Sequence, residues 1–200
     1  MSHDKKMIID KWKKYYTSGQ IMSALLIGFV TLLITCMIIF GNPVAGVMDY
    51  GEYTQTLSEM GLEWTEEALS NPDEMQFVKV IEEYEVGSIQ YLRLLQLEPT
   101  QSLVYPVSLI NIFCKICGVC FSTRYLAVLL SLLMAFSMYT ITKALYHYFR
   151  GYSIVIGLVS CFVLLCGNYI IYFNSLYSSG FFLVSIIMLM ALLLRAISSD

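Results

Sequence analysis

The chain alternates between long charge-free apolar blocks and one polar, acidic stretch. Residues 1–20 are polar and basic, and Ile21 to Gly41 then runs without a charge. At 1.5 Å per residue that block is roughly 31 Å long, about one bilayer core. Three more blocks follow, at about Tyr125–Tyr146, Tyr152–Tyr169 and Phe181–Ile197. Each predicts a membrane-spanning helix, the one over Tyr152–Tyr169 slightly short. A further apolar run over 103–121 holds Pro106 near its start and is interrupted by Lys115. It reads as a short helix lying at or dipping into the outer interface. Read instead as a fifth span, it would invert the orientation of everything after it.

Composition agrees with this pattern. The 200 residues are 58% hydrophobic and 14% charged, with a mean hydropathy of +0.68. Soluble domains carry about a quarter charged residues. The chain is too apolar for a disordered protein. Its net charge of −3 gives no footprint for nucleic acid. A secretory signal is an alternative reading of the first block, kept open by Pro43-Val44-Ala45-Gly46; the run exceeds the usual 7–15 residues.

Charge sets the expected sidedness. Twelve of the 15 acids lie between Asp49 and Glu98, and eight of the 12 bases are Lys5, Lys6, Lys11, Lys13, Lys14, Lys143, Arg150 and Arg195. By the positive-inside rule the N-terminus is cytoplasmic and the acidic loop extracytoplasmic. The expected organisation is a basic cytoplasmic N-terminus (1–20), a first span (21–41), an extracytoplasmic loop with surface helices (42–122) and three further spans (123–200). The fold class is an all-α polytopic transmembrane bundle in the plasma membrane.

Within the loop, Asn71-Pro72-Asp73-Glu74 has the form of a helix start. Phe77, Ile81, Tyr84, Leu92 and Leu95 recur at helical spacing, so an amphipathic helix is expected up to Pro99, interrupted at Gly87. Thr65-Glu66-Glu67 suggests a short helical turn. Asp49-Tyr50-Gly51-Glu52 suggests another, leading into Tyr53–Met60 and stopping at Gly61. Cys114, Cys117 and Cys120 form a C-x-x-C-x-x-C run, which reads as small apolar residues on one helix face; a metal site would need a fourth ligand in a compact loop.

Three segments resemble the start of GT-C superfamily integral-membrane glycosyltransferases. One runs from Gly41-Asn42-Pro43 to Met48-Asp49-Tyr50-Gly51-Glu52-Tyr53. The second runs from Val104-Tyr105-Pro106 to the Arg124-led helix Arg124-Tyr125-Leu126-Ala127. The third is Tyr172-Phe173-Asn174-Ser175-Leu176-Tyr177. Members of that superfamily usually have about 500 residues and many more spans, so the resemblance covers an N-terminal portion. It implies sugar transfer from a polyprenyl-phosphate donor to a glycan or lipid acceptor at the outer face, with membrane lipid as a further partner. Similar sequences carry an acid soon after the Asn-Ser of the third segment, where this chain has Ser178-Ser179-Gly180.

The resemblance assigns Asp49 as catalytic base, with Glu52 one helical turn away, and Arg124 as the donor-phosphate contact, with Arg93 a weaker candidate. Tyr50, Tyr105, Tyr172, Asn174 and Tyr177 become candidate substrate contacts. A positioned carboxylate can take the proton of an attacking hydroxyl, and a cation can stabilise a departing phosphate. A divalent metal is compatible with the family, but no motif points to one. The same residues fit plainer roles: Asp-x-x-Glu is a capping box, Arg124 an interfacial arginine, and the tyrosines an aromatic belt. No residue in the middle of a span is ionisable, which argues against an ion-coupled transporter. The alternative function is a non-catalytic membrane subunit or scaffold that binds a partner through the acidic loop.

Overall fold

A computed structural model describes residues 3–41, 46–47, 53–70, 80–87, 102–149 and 151–198, with the side chains of 3–16, 53–55 and 67 left out. In chain order the elements are α1 (His3–Ile39), α2 (Tyr53–Met60), β1 (Leu62–Glu63), α3 (Glu66–Ser70), β2 (Glu83–Val86), α4 (Val104–Cys117), β3 (Phe121–Ser122), α5 (Thr123–Tyr148), α6 (Ser153–Leu164), α7 (Gly167–Ile170), a 3-10 turn (Ile171–Asn174) and α8 (Ser178–Ser198). Among the described residues, three helices are long and apolar enough to cross a membrane: Thr17–Ile39 of α1, then α5 and α8. The third expected span is not one helix. It is α6 followed by Gly167–Asn174, bent by 62°. Leu165 and Cys166 leave helical geometry at the break, and Cys166 to Tyr169 are exposed there.

The chain divides into two compact units. The first comprises Met1–Ile34, Leu133–Leu165 and Ile186–Asp200, and the second Thr35–Leu132 and Cys166–Ser185.

The first unit is held by small residues at helix contacts, as expected where water supplies no driving force between helices. The buried face of α6 is Ser153, Gly157 and Cys161, one per turn. A Cβ on Gly157 would lie 2.9 Å from Ile27 Cγ1 and 3.1 Å from Thr142 Oγ1, so glycine sets how closely α6 approaches α1 and α5. Gly28 does the same between α1 and α5, where a Cβ would meet Ala135 O and Tyr139 Cβ at 3.3 Å. The hydroxyls of Thr31, Ser137, Thr140 and Thr142 donate back to carbonyls four residues earlier, which leaves no unpaired donor on those side chains. Thr31 Oγ1 and Cys161 Sγ also lie 3.3 Å apart.

The second unit carries a feature that the apolar pattern did not announce, a three-stranded antiparallel sheet in the order β1-β2-β3. Leu62 pairs with Val86 and Glu63 with Glu85 on one side of β2; Glu83 pairs with Ser122 and Tyr84 with Phe121 on the other. This corrects the helix expected across this stretch. Glu83 and Glu85 are exposed while Tyr84 is fully buried. That is a period of two, which a strand satisfies and a helix does not. Tyr84 packs between Trp64 and Phe121, with ring centroids 5.7 and 6.3 Å away. Residues 71–79 and 88–101, which hold the rest of that expected helix, lie outside the described residues.

Other local readings hold. α2 stops at Gly61, whose φ of +68° is left-handed. α3 begins after Thr65, whose hydroxyl accepts from Ala68 N at 3.4 Å. α4 is a 14-residue helix, about 21 Å at the standard rise and too short to span, closed by left-handed Gly118.

Candidate functional site

The second unit brings together three stretches that are far apart in sequence. β3 runs directly into α5, which fixes Thr123 and Arg124 at the helix start. Thr123 N donates to Glu82 O at 2.8 Å, which ties that helix end to the residue before β2. The Thr123 hydroxyl donates to Asn174 Oδ1 at 2.7 Å. Both residues are fully buried, so the pair is a desolvated polar link between α5 and the 3-10 turn.

The turn itself is tightly built. Ser175 Oγ donates to Tyr172 O at 2.9 Å, and the Tyr172 and Tyr177 rings meet edge-to-face at 6.4 Å. A Cβ on Gly180 would lie 2.7 Å from Tyr172 O, so α8 starts hard against the turn. The third stretch is the one that follows the first span. A Cβ on Gly46 would lie 2.9 Å from Asn174 O and 2.6 Å from Val80 Cγ1. Only a glycine lets the chain pass here, three residues before Asp49.

At the edge of this cluster Arg124 Nε donates to Glu82 Oε2 at 2.5 Å. The arginine side chain is 44% exposed and the glutamate 22%, so this ion pair faces solvent. A pair this exposed contributes about 0–1 kcal/mol to stability. Its larger effect is orientation. Glu82 is fixed by its own main-chain bond to Thr123, and its carboxylate accepts from Nε of the guanidinium.

The expected site residues therefore separate. Arg124, Asn174, Tyr172 and Tyr177 stand in one unit around the α5 start and the turn. Tyr105 is on α4, 51% exposed. Asp49, Tyr50, Glu52 and Arg93 lie outside the described residues. Glu82, Thr123 and Gly46 were missed. Thr123 stands beside Arg124 in sequence, but long-range contacts such as that of Glu82 leave no signal in the sequence. Among the described residues no group of three His, Cys, Asp or Glu side chains is arranged to hold a metal ion. Burial first, and then the neighbouring Cys117 and Cys120, push the Cys114 thiol above its ordinary value of 9.0.

The model of the YfdI N-terminal transmembrane domain matches residues 5–200, nearly the whole chain. No curated protein and no solved structure matches. The apolar spans and this near-complete match make the chain an integral membrane protein and a member of the YfdI N-terminal transmembrane domain family.

Proposed function

We propose that this chain is the N-terminal part of a GT-C-like glycosyltransferase. It moves a sugar from a polyprenyl-phosphate donor to a cell-envelope acceptor at the extracytoplasmic face of the plasma membrane, with the N-terminus cytoplasmic. The observation that carries the reading is the convergence at Asn174. The stretch after the first span, the Arg124-led helix and the Tyr172–Tyr177 segment are the pieces on which the GT-C resemblance rests, and one residue of each reaches this turn: Gly46, Thr123 and Asn174. Segments that merely lined a membrane interface would have no reason to be tied together by a buried side-chain hydrogen bond. The family's description as an N-terminal transmembrane domain fits this division of labour.

The chemistry balances with these groups. The acceptor hydroxyl oxygen attacks the anomeric carbon, and the bond from that carbon to the phosphate oxygen breaks. The hydroxyl proton goes to the Asp49 carboxylate, and the phosphate leaves on its polyprenyl carrier. Arg124, held through Nε by Glu82, offers its terminal nitrogens to the developing phosphate charge. Tyr172 and Tyr177, whose rings meet edge-to-face at the same turn, are candidate sugar contacts. Glu52, Tyr50, Tyr105 and Arg93 are secondary candidates on the same reading.

The test uses the full-length natural chain in membrane vesicles, with a panel of polyprenyl-phosphate hexoses as donors. Asp49→Asn lowers the transfer rate by about 10²–10⁴-fold, the usual contribution of a positioned base. Transfer at the wild-type rate by Asp49→Asn overturns that assignment. Absence of transfer from every donor by the wild type overturns the reading as a whole.

A further inference from the structure

α4 is amphipathic in the reverse of the usual sense. Its buried face is Val104, Val107, Ser108, Asn111 and Cys114. Its outward face is Tyr105, Leu109, Phe113 and Ile116, between 51 and 75% exposed. At 100° per residue these four side chains fall within about 80° of the helix circumference. A helix floating on water would turn Ser108 and Asn111 outward and the aromatic and aliphatic residues inward. Here the helix buries its polar residues and presents its largest apolar ones.

The buried polar face has its own task. Asn111 Nδ2 donates to Met60 O at 3.1 Å and to Gly61 O at 2.6 Å. These are carbonyls at the C-terminus of α2, which a helix leaves without intrahelical partners. The apolar face is thus the remaining surface of α4, in a chain whose family is transmembrane. Four residues, 118–121, and then Ser122 separate α4 from the membrane-spanning α5, whose Tyr125, Val128 and Leu132 are also exposed large apolar groups. The two exposed apolar surfaces belong to the same unit and to neighbouring elements of the chain. Lys115 is exposed in the last turn of α4, where a long basic side chain can reach phosphate while its stem stays apolar.

We propose that α4 is an in-plane membrane anchor. Tyr105, Leu109, Phe113 and Ile116 sit in the acyl region of a phospholipid leaflet, Lys115 sits at its phosphates, and Asn111 holds the end of α2 at headgroup depth. The occupant of the face is phospholipid and not a second protein, because the chain belongs to a transmembrane family and only five residues separate α4 from a helix long and apolar enough to cross the membrane. The inference does not depend on sugar transfer.

The experiment uses the full chain in phosphatidylcholine vesicles containing a minority of phosphatidylglycerol. Phe113→Trp and, independently, Leu109→Trp are each compared with the wild type, whose Trp12 and Trp64 set the background. The added emission at either position is lost when the acyl chains are brominated and resists aqueous iodide. Quenching by iodide with no response to brominated lipid puts the face in water and overturns the proposal. Shielding from both quenchers puts it against protein, a second copy included, and overturns it equally. Two substitutions one turn apart keep the test decisive if either variant folds poorly.

Discussion

Asn174 is the residue on which the second unit turns. It is fully buried, accepts the Thr123 hydroxyl, and its carbonyl lies against Gly46. Asn174→Ala strands a buried hydroxyl, and leaving such a group unsatisfied costs about 1–3 kcal/mol. Thermal unfolding of the full chain in nanodiscs reads this directly. The double variant Asn174→Ala, Thr123→Val loses less than the sum of the two single variants, since the second change removes the stranded group. Additive losses would show that the 2.7 Å contact is not an energetic link. The sequence marked Asn174 and Arg124 through a resemblance. It could not mark Thr123 or Glu82 as their partners, because contacts between residues 51 and 42 positions apart leave no periodicity to read.

At the scale of elements, the helices that were legible end where chain chemistry is local. Gly61 and Gly118 stop α2 and α4 because a left-handed φ of +68° favours glycine at each. The strand β2 was hidden for a physical reason. Glu82, Glu83 and Glu85 surround Tyr84 with charge, and Ile81, Tyr84 and Phe77 happen also to fit helical spacing. Only the pairing of Tyr84 with Phe121 shows which period the fold uses. The break at Leu165–Cys166 was hidden as well, because an apolar run reports hydrophobicity and not continuity of hydrogen bonding. Packing of α6 gives a prediction at this scale. Gly157→Leu drives a side chain into Ile27 and Thr142 and costs about 1–3 kcal/mol. At Gly151 nothing lies within 4 Å of an added Cβ, and Gly151→Ala stays within about 0.5 kcal/mol of wild type. Equal losses in nanodisc melts would contradict the close approach assigned to Gly157.

The whole molecule was the most legible level. Long charge-free blocks and a bipolar charge distribution are global properties that survive any error in local structure, and they already specify a helical membrane protein. Sidedness matters most at this scale. Asp49 and Arg124 can act on a polyprenyl-phosphate sugar at the outer face only if residues 42–122 are extracytoplasmic. Cys117 and Cys120 are exposed at the end of α4 and report that sidedness. Cys114 is buried with a raised thiol pKa, so it stays mostly protonated and slow to react at neutral pH. The deciding measurement is labelling of a Cys166→Ser variant with a membrane-impermeant maleimide, in intact cells and in inverted vesicles, with a Cys117→Ala, Cys120→Ala derivative as control. The account predicts that intact cells are labelled and that the control loses the label. Label appearing at these two cysteines only in inverted vesicles would place the acidic loop in the cytosol and contradict the proposed site and its chemistry together.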